Sequence, residues 1–203
     1  MTYDRSAMED FWQRWLDLNA EAERRHDWKP LADCYAEDAT YGWMYHPDEH
    51  FMAVGRDEIR DLALGSEMFG MDGWTYEYVA TVMDERTGMI VGFWRQHSNI
   101  TDEHGAEYEI TGIGGSWFGY QPGPDGRGEF AWQRDWFDMN STAHTFLTLL
   151  KDGKAPQTLQ DRMAVDGPSS PGHYRLADLP STVWPPVIGQ GPDRAGMTSP
   201  GES

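Results

Sequence analysis

The chain has 203 residues, of which 39% are hydrophobic, and it carries a formal net charge of −18 at pH 7. That length predicts one domain with a full hydrophobic core and room for a terminal extension. The acidic composition argues against nucleic acid and anionic membrane surfaces as partners, because both recruit clustered Lys and Arg. No apolar run reaches membrane-spanning length and the N-terminus lacks the apolar core of a signal peptide, so we expect a cytoplasmic protein.

Two helices are predicted at the start of the chain. Apolar residues recur at helical spacing between Met8 and Ala22, which indicates an amphipathic helix over about residues 6–25. A shorter helix is expected over about residues 28–35. It contains the single cysteine of the sequence, Cys34, which we interpret as a buried, unreactive thiol with no disulfide partner in the chain.

A strand, a polar loop and a third helix follow. The strand begins at Glu37, and its alternation places Tyr41 and Trp43 on one face. The loop at residues 45–50 holds two histidines and two acids. Their spacing matches no metal template, so a solvated loop and no metal site are predicted. The third helix is expected at residues 55–70.

Four long strand-like segments come next, separated by turn residues. Short turns between long strands predict an antiparallel meander. Glycines at Gly112, Gly114 and Gly115 interrupt the third of these strands and predict a bend that curls the sheet. The four segments are residues 74–84, 89–101, 107–120 and 129–139.

The composition changes after a helix expected at residues 140–153. Pro, Gly and Ser dominate from Gly167 onward, with a short helix expected at residues 158–165. The sequence therefore predicts a compact domain at residues 1–153 and a Pro/Gly-rich C-terminal arm at residues 154–203. The last dozen residues of that arm are expected to be disordered.

Together these elements predict an α+β fold, in which N-terminal helices close a cone-shaped, strongly curved antiparallel sheet. Such a cone encloses a hydrophobic interior, and concave interiors of this kind bind small molecules. The outer face of the sheet would expose Trp132 and Trp136 to water. A homodimer or a higher homo-oligomer is therefore expected.

The last of the long strands carries the leading site candidate, Asp135. Strand alternation puts this acid on the same face as Gln133 and Phe137, with Arg134 on the other face. An ionisable group among bulky apolar neighbours is either held by partners or kept for chemistry. Asp135 is therefore predicted to belong to a functional site.

Three segments of the sequence resemble the nuclear transport factor 2-like superfamily, in particular its SnoaL-like and limonene-epoxide-hydrolase-like branches. The resemblance covers roughly residues 6–152 and implies a cone-shaped sheet closed by helices. Two of the segments are common across the superfamily, and the third is closest to the epoxide hydrolases. The segments are WKPLADCYAEDAT at residues 28–40, VGRDEI at residues 54–59 and WQRDWFD at residues 132–138.

The resemblance also implies site residues. In the epoxide hydrolases an Asp-Arg-Asp trio, helped by a Tyr and an Asn, holds and activates water. Matched residue by residue, Asp135 falls on one acid, Arg95 on the arginine and Tyr41 on the tyrosine. Two positions depart from the pattern, because His97 stands at the second acid and Trp43 at the asparagine.

A His–Asp pair beside a cavity tyrosine is similar to the dehydratases of the same superfamily. The resemblance points Arg95 and His97 inward with Asp135. His97 would then move the proton, Asp135 would orient it, and Arg95 would hold an oxyanion. Tyr41 would donate a proton to a leaving oxygen.

The function this implies is a cofactor-independent lyase, of the dehydratase or carbon–carbon lyase type. It would act by general acid–base catalysis on a bulky hydrophobic small molecule of aromatic, terpenoid or steroid-like character. An isomerase stays open. Apart from Trp15 and Trp43, the expected substrate-binding walls are Tyr108, Ile110, Ser116, Phe118 and Phe137.

Two alternatives remain beside the lyase. The first is an epoxide hydrolase, in which Asp135 and Arg95 activate water. The second is a non-catalytic module for small-molecule binding or assembly, which is favoured if side chains fill the cavity or if Arg95 and His97 point outward.

Overall fold

The longest helix lies at the N-terminal end of the chain, short helical segments lie at residues 29–34 and 56–68, and two further helices follow the long strands. The structure is a computed structural model that describes residues 2–165 and 170–185. Helix α1 is capped by Asp4, whose carboxylate accepts from the backbone amide of Ser6. The helices are α1 (Arg5–Arg25), a 3₁₀ helix (Lys29–Cys34), α2 (Arg56–Glu58) with a π-helical continuation (Ile59–Ala63), a 3₁₀ turn (Ser66–Met68), α3 (Met139–Lys151), α4 (Gln157–Val165) and a 3₁₀ turn (Leu176–Asp178).

A single sheet of seven strands forms within the described residues. The strands are β1 (Tyr35–His46), β2 (Glu49–Val54), β3 (Trp74–Asp84), β4 (Met89–Thr101), β5 (Glu107–Pro122), β6 (Gly128–Trp136) and β7 (His173–Arg175). Their order is β3-β4-β5-β6-β1-β2-β7. Bulges interrupt the pairing of β3, β4 and β5, and bulges bend a sheet. The predicted α+β architecture with a curved sheet is confirmed.

One pair of strands departs from the antiparallel prediction. Strands β1 and β6 run parallel, and this pairing places Trp43 beside Asp135 and Tyr41 beside Gln133. Two segments that are remote in sequence are thereby held at a fixed register. The parallel pair is what brings Tyr41 and Asp135 together.

Strand β2 was not predicted: residues 49 and 50 were placed in a solvated loop, which is wrong, and residues 51–54 were assigned to no element. Strand β2 lies between β1 and β7, which pair with its two edges. Residues 50–53 are all buried, so both faces of β2 are covered. A strand buried on both faces lacks the alternation of apolar and polar residues by which strands are recognised. Strands β3 and β4, in contrast, span the predicted residues.

The main core forms where α1 packs on the concave face of the sheet. Phe11 meets Phe130 edge to face with ring centroids 4.7 Å apart, and Trp15 meets Phe118 in the same way at 5.7 Å. Cys34 lies in this core, and burial raises the pKa of its thiol to about 11. The prediction that this cysteine is buried is confirmed, and the raised thiol pKa disfavours the reactive thiolate.

Described parts of the C-terminal arm pack on the sheet. Strand β7 pairs with β2 at the sheet edge, and Trp184 lies edge to face with Trp117 on the outer sheet face. Trp132 was predicted to be exposed there, but it is only 2% exposed and packs on Trp117 at 5.0 Å. The outer face is therefore partly covered by this chain itself, whereas Trp136 is more exposed, at 38%.

The domain boundary after residue 153 and the homo-oligomer stay predictions. The expectation for the last dozen residues lies outside the described residues. In the part of the chain that the structure covers, no helix is both long enough and apolar enough to cross a membrane.

The glycines of β5 serve close packing as well as bending. A Cβ atom at Gly114 would lie 2.1 Å from Cζ3 of Trp94, so any side chain there must displace the indole. We expect Gly114→Ala to destabilise the protein by about 1–3 kcal/mol, the usual cost of overpacking. Urea unfolding measures it, with Ile113→Ala as the exposed neighbouring control. Equal stability of both variants would show that Trp94 is free to move.

Candidate functional site

A cavity of about 410 Å³, lined largely by apolar side chains, lies between the concave face of the sheet and the helices. This volume falls in the range of small-molecule sites. Trp15 and Trp28 contribute to it from the N-terminal helices, and Trp94 from β4. Of the predicted walls, Trp15, Trp43, Ser116 and Phe137 line the cavity.

Asp135 and Tyr41 meet at the wall of this cavity. The Tyr41 hydroxyl donates to Oδ2 of Asp135 at 2.6 Å, and Nε2 of Gln133 donates to Oδ1 at 2.7 Å. Asp135 and Gln133 are two residues apart on β6 and therefore share a face, while Tyr41 comes from the parallel neighbour β1. Of the four predicted catalytic residues, Tyr41 and Asp135 are the two that the structure brings together at the cavity.

A second set of contacts fixes the groups around Asp135. The Tyr35 hydroxyl donates to Oε1 of Gln133, which sets the orientation of that amide so that its nitrogen faces Asp135. Nε1 of Trp94 donates to the Ser116 hydroxyl at 3.0 Å, and that hydroxyl hydrogen-bonds Asp135. The carboxyl group is thus held by three neutral side chains whose own positions are fixed.

Burial dominates the electrostatics of the site. It raises the pKa of Asp135 above its ordinary value, against the opposing hydrogen bonds from Gln133, Ser116 and Tyr41. Burial and the Asp135 charge also raise the pKa of Tyr41 well above its ordinary value. Tyr41 therefore stays a protonated donor at neutral pH, while the raised pKa of Asp135 favours the protonated form of its carboxyl group relative to an exposed one.

The predicted inward placement of Arg95 and His97 is wrong. The Arg95 guanidinium forms a two-point ion pair with Glu109 at 2.9 and 2.7 Å, and its side chain is 56% exposed. Nδ1 of His97 lies 2.9 Å from Glu107 Oε2. Both residues sit on the outer face of β4, because their neighbours Trp94 and Gln96 occupy the inner face.

The sequence held a signal for this face assignment. Arg95 and His97 pair with Glu109 and Glu107 on the next strand, and Glu77 on β3 lies opposite Arg95. Opposite charges in register across three strands mark a solvent face. The missed cavity residues from β3 and β4 are Tyr76, Tyr78, Trp94 and Gln96.

Three predicted cavity walls belong elsewhere. Tyr108 donates from its hydroxyl to Asp152 Oδ2 at 2.8 Å, and Ile110 packs in a second core with Trp74. Phe118 is fully buried in the main core under α1. The bulge where β5 pairs with β4 shifts the register between Ile110 and Gly114, so the two halves of β5 cover different cores.

A second polar group at the cavity was also missed, because its members come from segments remote in sequence. Glu67, from the turn before β3, pairs with Nη2 of Arg162 at 3.0 Å and with Nε2 of His173 at 3.0 Å. Nδ1 of His173 lies 2.9 Å from Glu49 Oε1. This cluster of Glu49, Glu67, Arg162 and His173, the arm cluster, joins α4 and β7 to a cavity wall.

The arm cluster predicts a pH dependence of stability. Tyr45 and Phe51 pack on His173, and its two glutamate partners raise its pKa above the ordinary 6.5 against desolvation. The contribution of protonated His173 to the free energy of unfolding is therefore complete below about pH 6.5, and it declines as pH rises through the raised pKa of His173. The pKa of Glu67 is lowered, so its contribution is lost only at acid pH, below its ordinary 4.5.

His173→Gln is expected to cost about 1.5–3 kcal/mol at pH 6, the typical value of a charged buried hydrogen bond. The cost should shrink as pH rises above the pKa of His173. Urea unfolding at a series of pH values measures it, with His104→Gln at an exposed site as the control. A cost that does not vary with pH would contradict a charged His173.

No group of three or more His, Cys, Asp or Glu side chains is placed to hold a metal ion in residues 2–165 and 170–185. The polar groups at the cavity include the Asp135 carboxyl group with its neutral hydrogen-bond donors, and the Glu67 carboxylate paired with Arg162.

Comparison with known proteins returned no matching family model and no matching curated protein. Similar solved structures include an NTF2-like protein from Anabaena variabilis ATCC 29413, with 17% identity, TM-score 0.48, and coverage of 68% of this chain and 94% of that one. Another, from Shewanella putrefaciens CN-32, is named as a SnoaL-like polyketide cyclase, with 13% identity, TM-score 0.49, and coverage of 70% and 86%. A phenazine biosynthesis-related protein from Pseudomonas aeruginosa has 13% identity, TM-score 0.45, and coverage of 65% and 82%. These similarities concern the fold alone, and no activity follows from them for this chain.

Proposed function

We propose that this protein is a cofactor-independent enzyme that binds a bulky hydrophobic small molecule in its cavity and moves a proton with Asp135. The observation that carries the proposal is the Asp135 carboxyl group itself. It lies at an aromatic cavity and is held by Tyr41, Gln133 and Ser116. A buried carboxyl group with a raised pKa suits proton transfer near neutral pH.

In the lyase reaction that we propose, Asp135 acts as both base and acid. Its carboxylate takes a proton from the substrate carbon beside the leaving group, and the electrons of that C–H bond form the new double bond. The bond to the leaving oxygen breaks, and Asp135 returns the proton to that oxygen, so that water leaves. Tyr41 and Gln133 keep the carboxyl group in place through both steps.

The epoxide-hydrolase alternative loses the arginine on which it depended. Arg95 lies on the outer face, paired with Glu109, and cannot activate water beside Asp135. Isomerisation uses the same base without loss of a fragment, and the products distinguish it from elimination.

A non-catalytic binding protein is the second candidate, and the outward position of Arg95 and His97 favours it. With both residues outside, Asp135 is left without a histidine or arginine from β4 to share the proton. In this case Asp135 and Tyr41 would only orient a ligand.

One experiment separates the two candidates. The protein is incubated in deuterium oxide with a panel of cyclic ketones, aromatic alcohols and terpenoid alcohols, and the compounds are followed by mass spectrometry. The enzyme is expected to exchange a carbon-bound proton for deuterium or to release water from at least one compound. Binding, seen as quenching of cavity tryptophan fluorescence, with neither exchange nor elimination would overturn catalysis and leave the binding protein.

A further inference from the structure

The Asp135 carboxyl group at the cavity wall has no positively charged side chain as a direct partner among the described residues. All the groups that hydrogen-bond this carboxyl group are neutral, and no ion pair to it forms among the described residues. The charge of Arg134 acts on it, but that guanidinium lies on the opposite face of β6, bound to backbone carbonyls. Asp135 is thus a buried acid to which the described protein supplies no adjacent cation.

The other acid at the cavity is different. Glu67 is paired with Arg162 at 3.0 Å and with His173 at 3.0 Å, so its charge is already compensated within the protein. A ligand that enters the cavity therefore meets one uncompensated acid, and that acid is Asp135.

Aromatic rings surround the space that Asp135 borders. Tyr41 and Trp43 lie edge to face with centroids 5.5 Å apart, and Tyr76 and Trp94 lie likewise at 5.5 Å. All four line the cavity. Aromatic faces attract cations through their quadrupole, more strongly where water is excluded.

From these observations we infer that the cavity takes a hydrophobic organic cation. The ligand is an aryl or polycyclic molecule with a protonated amine, whose ammonium group pairs with Asp135 and whose apolar body packs on the aromatic walls. This inference rests on the proposed function, from which it takes the binding cavity, and it names the class of ligand that the cavity holds. The net charge of −18 adds a long-range attraction for cations and disfavours anionic ligands.

Matched probes of one shape test the charge. Phenylbutylamine, phenylbutanol and phenylbutyrate are each titrated into the full-length protein near neutral pH, with calorimetry and tryptophan fluorescence as readouts. The amine is expected to bind at least about tenfold more tightly than the alcohol, and the carboxylate most weakly.

Asp135→Asn should remove the preference for the amine while the alcohol still binds, and Glu109→Gln on the outer face should change neither. A preference that survives Asp135→Asn would mean that the amine binds the acidic surface, and would overturn the inference. Equal or tighter binding of the alcohol by the wild-type protein would also overturn it, and needs no variant to fold. Deuterium exchange on neutral compounds would in that case still support the proposed function.

Discussion

Asp135→Asn is expected to slow turnover of any substrate found in the deuterium panel by about 10²–10⁴-fold, the usual contribution of a positioned acid–base group. Asparagine has nearly the same shape as aspartate, and its amide oxygen still accepts from Tyr41, but it neither takes nor gives a proton. The variant should fold, because asparagine keeps the volume of the buried side chain and carries no charge that burial would penalise. Thermal unfolding and single-turnover rates measure the two effects.

The pH dependence sharpens this prediction. Burial raises the pKa of Asp135, so the carboxylate, and with it activity as a base, should appear only as pH rises through that raised value. Glu109→Gln, which removes an acid from the outer face, is the control and should keep wild-type activity. An Asp135→Asn variant with turnover near the wild-type rate would show that the proton transfer takes place elsewhere.

Arg134→Met is expected to give the largest loss of stability, about 3–5 kcal/mol, as for removal of one partner from a buried charged network. The Arg134 guanidinium donates to the backbone carbonyl oxygens of Thr40, Gln133, Thr182 and Val183 at 2.7–3.1 Å. Burial lowers the pKa of Arg134 to about 10, so it remains charged at neutral pH. Methionine fills much of the same volume but leaves these carbonyl oxygens without their donor.

The loss of stability in Arg134→Met should be greatest in the C-terminal arm, because two of the four carbonyl acceptors belong to Thr182 and Val183. Limited proteolysis should therefore cut Arg134→Met near residue 182 faster than the wild type. Arg127→Met, at a guanidinium that is 72% exposed, is the matched control and should change stability by less than about 0.5 kcal/mol. Equal stability of the two variants would mean that Arg134 does not hold the arm.

The sequence predicted those elements whose pattern is local. The helical spacing of Met8, Phe11, Trp12 and Trp15 predicted α1. The turn residues around β3 and β4 predicted the first and last residue of both strands correctly. Asp135, which lies at the cavity, was also singled out from the sequence, because an acid in an aromatic strand is conspicuous without any knowledge of its neighbours.

What failed depended on contacts between remote segments. Both faces of β4 carry apolar and polar residues, so alternation alone does not say whether Trp94 or Arg95 points inward. The resemblance implied that Arg95 and His97 lie on the inner face of β4, whereas both lie on its outer face. The cluster of Glu67, Arg162 and His173 joins residues about a hundred positions apart, and no spacing rule links them.

The most direct test of this account is a crystal structure of the protein with a compound that it turns over or binds. We predict that the compound lies in the interior cavity, within hydrogen-bond distance of Asp135 and against Tyr41 and Trp94. A compound bound on the outer face beside Arg95 and His97, with the cavity empty, would contradict the assignment of the site.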